Sequence, residues 1–448
     1  MLCSTTQPSY PTPADRNDFV GGVLAGRPAR TSTGFAAGKQ RCSTFISTVG
    51  RGLSPTSSFD PSGIKPDLHG KLGALFTLLL AFAPLAHASL WESNDWALTG
   101  KVDGALGYDS NLTTSNNGPA DYYILATPYV TLARRNSSTD FHVNAGATHT
   151  EYINGELPAQ TDFHLDATYA YPQADNVVPI YRVDAAWQRT APPDQYLGLR
   201  IQTDETSFDS EGFLPLTGKL GLRGSATVDS EKYDSRNLNH NVRGDIALGL
   251  AFQRTNRSEL SLNLAAVSGH STPNNSANTA NEVKTRGYTV TLRLRGELTA
   301  KLSGSVYGGF GQADFTGGYT NTLTRPIGGA ELTWKIDLLR TLAVDAFSGV
   351  RYSPDGQTNT LTRVALSYTH IVFGQWQYTL QAGMSHSKYS RTVQYRTDDS
   401  IGLGAEIAYQ PSTRFRVALG LNNTNQTSND TFATFKRSLV SLGSTYRF

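Results

Sequence analysis

Cysteine is almost missing from this 448-residue chain, and charge is sparse. The two cysteines are Cys3 and Cys42, charged residues make up 17%, and the formal net charge is +2. No disulfide framework can therefore staple anything beyond residue 42, which argues against a disulfide-built secreted domain. A net charge so near zero gives no basic surface to neutralise phosphates, so no nucleic-acid partner is expected. Metal-ligand spacings such as HExxH are missing, as is any glycine-rich loop opening a helix. No metal, cofactor or catalytic motif is expected. Long apolar runs are lacking too: the longest, Leu72–Phe82, is about a dozen residues and too short to span as a helix. Mean hydropathy is negative, which does not exclude a membrane barrel, because only alternate residues of its strands meet lipid.

Residues 1–70 are rich in Ser, Thr, Pro and Gly without apolar periodicity and read as a disordered extension. Residues 71–88, KLGALFTLLLAFAPLAHA, read as a signal peptide: a basic start, a short apolar run and the small-x-small site Ala86-His87-Ala88. So late a signal implies that translation starts near Leu68, from a non-AUG codon. A mature N-terminus upstream of Lys65 would refute this.

What the chain has in abundance is alternation with a period of two. In the final stretch, FKRSLVSLGSTYRF, Val440, Leu442, Tyr446 and Phe448 share one face, while Ser441, Thr445 and Arg447 share the other. At roughly 10 residues such a strand can cross a bilayer at a tilt. A strand in lipid cannot leave its edges open, so a closed barrel is implied. The same pattern recurs from Trp96 onward, as Leu98–Tyr108 and then near 121–134, 139–152 and 161–171. In 179–231 two strands are clear, around Tyr181–Trp187 and Leu220–Val228. Between them, with Pro192, Pro193 and Pro215, lies one further strand or a long loop. From 239 the alternation continues to the end. The count is about 18 strands, with 16 as the fallback, even in either case. Connections near 254–257, 297–300, 337–340, 372–374 and 410–412 are tight. Those near 268–283, 315–325, 353–360, 389–396 and 423–433 are long and polar. The expected fold is all-β: a transmembrane antiparallel up-and-down β-barrel over 97–448, after a short periplasmic stretch at 89–96, in a Gram-negative outer membrane.

Register follows from energy. An Arg on the lipid face costs about 2–4 kcal/mol at the midplane, so Arg293 and Arg295, and Arg414 and Arg416, should face inward. The expected lumen-lining set is Lys101, Asp103, Arg182, Arg243, Arg293, Arg295, Glu331, Lys335, Asp345, Arg351, Arg363, Glu406, Arg414 and Arg416. Arg223, Asp166, Asp184 and Asp245 join it, giving a mixed lining with an excess of Arg. Aromatics at strand ends (Phe252, Trp334, Trp376, Tyr409, Phe415, Tyr446 and Phe448) form one interfacial girdle, with Tyr108 and Tyr352 toward the other rim.

The first strand closes on GYDSNL, 107–112. With a cysteine-free barrel behind a signal peptide, this resembles the putative β-barrel porin 2 family of outer-membrane proteins. It is also similar to barrels encoded with exopolysaccharide-secretion systems. The resemblance implies a transport role of unassigned cargo, and for Tyr108, Asp109 and Asn111 a part in shaping the first external loop, since Asp and Asn favour turns.

The function expected is a water-filled channel for hydrophilic solutes, in its specific version an exopolysaccharide export pore. One alternative is a barrel hydrolase using the inward His142, His164 and Asp166. Another is a closed structural or adhesive barrel. The expected partners are outer-membrane lipid, the barrel-assembly machinery acting on the strand ending at Phe448, and polysaccharide or small hydrophilic solutes. The acidic clusters Asp204–Glu205 and Asp209–Glu211 read as solvated turns rather than a cation site.

Overall fold

The computed structural model describes residues 90–448 except 94, 136–138, 173–179, 192, 195–198, 236–237, 256, 275–281, 318–320, 353–357 and 391–394. The N-terminal extension and the signal segment fall outside the described residues.

Eighteen long strands follow one another. They are β1 (Trp96–Asp109), β2 (Asp121–Arg135), β3 (Asp140–Tyr152), β4 (Gln160–Tyr171), β5 (Tyr181–Thr190) and β6 (Thr203–Pro215). Next come β7 (Leu220–Tyr233), β8 (Asn239–Thr255), β9 (Ser258–Pro273), β10 (Val283–Glu297), β11 (Leu302–Thr316) and β12 (Asn321–Lys335). The last are β13 (Arg340–Tyr352), β14 (Thr358–Val372), β15 (Trp376–Ser390), β16 (Arg396–Tyr409), β17 (Phe415–Ser428) and β18 (Phe435–Arg447). Each pairs antiparallel with the next, and β18 pairs back onto β1, from Lys101 opposite Arg447 to Asp109 opposite Leu439. Gly100 and Phe448 exchange backbone hydrogen bonds of 2.8 and 2.9 Å, so the terminal residue itself belongs to the seal. The result is a closed antiparallel barrel with no free first or last edge.

The doubtful region resolves into β5, β6 and β7, which fixes the count at eighteen. Asp204, Glu205, Asp209 and Glu211 therefore lie on a strand, β6, and not in solvated turns. The stretch before the barrel is more ordered than expected: Trp91–Ser93 hairpins onto Trp96–Leu98. The long loops are shorter than the sequence suggests. β9 runs to Pro273, β12 starts at Asn321 and β17 continues to Ser428, taking in residues expected to be loop. Above the apolar belt both strand faces are polar, so the hydrophobic alternation stops while the hydrogen-bond ladder continues.

The two faces differ as the register argument requires. Ile246, Leu248, Leu250 and Phe252 of β8 are 44–67% exposed, while Ala247 and Ala251 between them are buried. So large an exposed apolar surface belongs in lipid. At the tight-turn rim Trp376 and Tyr409 pack at a tilt with centroids 4.8 Å apart, and Tyr446 lies 6.2 Å from Phe448. The junction between β12 and β13 is short. β12 and β13 pair only from Gly328 opposite Ser348 to Lys335 opposite Thr341, eight residue pairs, against fourteen between β11 and β12.

Candidate functional site in the barrel interior

The interior is built by the inward half of each strand. Near the tight-turn rim, inward residues of four strands form one charge network. Glu259 at the start of β9 is fully buried and pairs with Arg223 of β7. It also lies 3.3 Å from Arg295 Nε of β10. Arg295 in turn donates through Nη1 to Glu211 of β6 at 2.8 Å. Strands β6 and β10 are four steps apart along the wall, roughly 19 Å at the usual inter-strand spacing. That exceeds the reach of the two side chains across a shallow arc, so the wall must curl sharply over β7–β9. Small inward residues permit the curl: Ala247, Ala251, Ser261 and Asn263 are all buried on its concave side. The network thus draws one rim of the interior together, with Arg293 and Tyr307 beside it, the guanidinium 5.8 Å from the ring centre.

Most of the inward cations expected from sequence have a carboxylate at hand. Lys101 lies 3.8 Å from Asp103 and over the Tyr129 ring at 4.6 Å. Arg182 donates through Nη2 to Asp184 at 2.6 Å. Arg363 lies 2.9 Å from Asp345, and Arg416 pairs with Glu406. Arg243 and Asp245 are both buried on the inner face of β8, and Glu331 is on the inner face of β12, opposite Asp345. Two positions differ from expectation. Arg414 lies in the turn before β17, so it belongs to the rim. Lys335 is exposed at the rim end of β12. The side chain of Arg351 is outside the described residues, as is that of Tyr352. Glu211, Glu259 and Arg437 escaped the sequence-based set, although strand parity alone places all three inward.

At the opposite rim the GYDSNL segment draws its loop inward. Asp109 of β1 and Arg437 of β18 form a buried, doubly hydrogen-bonded pair, with Nε–Oδ1 at 2.9 Å. Asp109 also accepts from the Asn111 amide at 3.0 Å. Asn111 Nδ2 donates to Ser115 O and, across the closure, to Lys436 O. Leu112 is fully buried against Ala105, Tyr123, Leu125 and Tyr152. Its carbonyl accepts from Arg200 Nε at 2.9 Å, which brings Arg200 to the same mouth. Gly107 is required because a Cβ there would meet the Tyr123 ring at 2.2 Å. Tyr108 points outward and packs with Tyr122, centroids 5.0 Å apart.

The inward histidines and Asp166 have the following neighbours. His142 Nδ1 lies 3.8 Å from Asp140, His164 stacks on Tyr129, and Asp166 accepts from Asn144 at 2.7 Å.

A family model described as putative beta-barrel porin 2 matches residues 94–448. No functionally curated protein matches the chain. Among solved structures, OccK1 (OpdK) of Pseudomonas aeruginosa is 10% identical with a TM-score of 0.41, covering 78% of this chain and 98% of its own. OccK2 (OpdF) of the same organism gives 10% and 0.42, over 78% and 97%. OccAB3 of Acinetobacter baumannii gives 9% and 0.38, over 79% and 100%.

Proposed function

Since the chain belongs to the putative beta-barrel porin 2 family, we propose that this porin-like outer-membrane barrel is a channel for small hydrophilic solutes, with the long loops facing outward. The observation that carries the reading is the interior charge network Glu211–Arg295–Glu259–Arg223, which links four strands at one rim. Buried charge is costly to hold in a barrel whose interior is only filling. Fixed charges lining a passage set a field that passing solutes must cross. The polymer-export version is less well supported. An acidic polymer needs inward cations available to it, whereas Arg182, Arg223, Arg295, Arg363, Arg416 and Arg437 each have a carboxylate within pairing distance.

No bound cofactor or covalent step enters this reading. The partners it calls for are outer-membrane lipid around the apolar belt and the assembly machinery at the strand ending in Phe448. Reconstitution into planar bilayers tests it: discrete conductance steps are expected. Silence at both polarities from correctly folded protein would leave the closed structural barrel as the better account.

A further inference from the structure

The short ladder between β12 and β13 is the opening for a second reading, which does not depend on ion conduction. Beyond Gly328 and Ser348 the two strands continue but part company. Among the described residues no pairing joins 321–327 of β12 to 349–352 of β13, although each stays paired with its other neighbour. Pro326 lies in the parted segment and brings no N–H to a ladder, as is usual only at a sheet edge.

The parted end of β13 has swung inward. Alternation from Asp345 and Phe347, both inner, assigns Val350 to the outer face. Yet Val350 is buried, and it belongs to one apolar cluster with Val267, Ala313, Phe315 and Ile327, which lie on the inner faces of β9, β11 and β12. A residue that parity assigns to the outer face can join inner-face side chains only if the β13 end has turned toward the inside of the wall. The seam left behind meets the upper edge of the lipid belt: Pro326 is opposite Phe310, which is 67% exposed on the outer face. The inner cluster, through Ile327 and Val350, thus borders the seam where it meets that edge.

We infer that this seam between β12 and β13 is a lateral passage, where the aliphatic tail of a single-chain amphiphile binds and moves between the lumen and the bilayer. Over most of the described wall the strands are shut by paired backbone hydrogen bonds, which cannot be parted in lipid without leaving polar groups unsatisfied. Here it is shut by aliphatic side-chain contacts, and an acyl chain can replace those contacts with contacts of the same kind. The head group would remain among the polar residues of the interior.

The test uses the full chain with Cys3→Ser and Cys42→Ser, carrying Ile327→Cys and Val350→Cys to bridge the inner cluster. A dodecyl carboxylate bearing a diazirine is the probe, with labelled peptides read by mass spectrometry. Labelling should concentrate on 321–327 and 349–352, fall at least tenfold when the disulfide forms and return on reduction, with potassium chloride conductance changed less than twofold. Labelling spread evenly around the outer belt, or unaltered by the disulfide, overturns the passage. In the unmodified protein, hydrogen exchange gives a second check. The amides of 322–327 that face the seam should exchange at least tenfold faster than those of 328–335, and equal protection also overturns it.

Discussion

Replacing Glu259 by Gln tests the interior network most directly. The carboxylate is fully buried and holds two guanidiniums, Arg223 and Arg295, with Arg295 Nε at 3.3 Å. Gln keeps the shape and removes the charge. At that distance and an effective dielectric near 20, the attraction to Arg295 is about 5 kcal/mol. Desolvation offsets much of this in the intact site, but deleting one member of a buried pair strands the others and costs about 3–5 kcal/mol. Urea unfolding of barrels folded in lipid vesicles should show that loss as a lowered midpoint at unchanged slope. The same substitution adds one net positive charge to that rim. For a hydrated ion passing at ~6 Å the interaction is ~0.7 kcal/mol, opposite in sign for cation and anion. The permeability ratio should therefore shift about tenfold toward anions at low salt, and less as salt screens it. The zero-current potential under a potassium chloride gradient reads that shift. Stability within about 0.5 kcal/mol of the parent refutes the buried network. An unmoved potential refutes its place in the ion path.

The remaining expectations are simpler. Leu248→Arg on the outer face, where Leu248 is 67% exposed, should cost about 2–4 kcal/mol in vesicles, and a neutral result would mean that this face does not meet lipid. Asp109→Ala removes the carboxylate that Arg437 needs and should cost about 3–5 kcal/mol. Asp109→Ala combined with Arg437→Ala should cost less than the sum of the two single changes, and strict additivity would show that the pair is not coupled. Asp337 in the 336–339 turn is held down to about 2 by Arg340 and by the amides of Leu339 and Arg340. A lowered carboxylate pKa gives order that is present above the ordinary value of about 4 and lost as pH falls toward 2. Its side-chain carbon should titrate near 2 by NMR, and an inflection near 4 removes the claim.

The sequence carries the barrel because lipid imposes a penalty on every wrongly placed residue. Arg293 and Arg295 cannot slip to the outer face without exposing two guanidiniums to hydrocarbon, so two residues fix the register of β10 and, through pairing, of its neighbours. The ends of strands are less legible. Ser268–Pro273 and Asn321–Arg325 are paired strand, yet beyond the belt nothing selects apolar side chains, and they resemble loop. The network was half legible: parity places Glu259 and Glu211 inward, but no local pattern shows that the wall curls enough for Arg295 to reach Glu211. The seam was not legible at all. Pro326 hints at an edge, but whether a strand parts from its neighbour depends on how that neighbour's end packs against the interior.

The seal between the first and last strands has a consequence for how the barrel comes into being. Asp103 and Thr445 share a hydrogen bond across 342 residues of chain, close to the largest separation the described chain allows. Loop closure over such a span must precede its reward. Until β18 has been synthesised and delivered, the preceding strands can form only an unfinished curl with two raw margins. Birth of the cylinder is therefore a single late event, and the chain must be kept from sticking to its own kind while it waits.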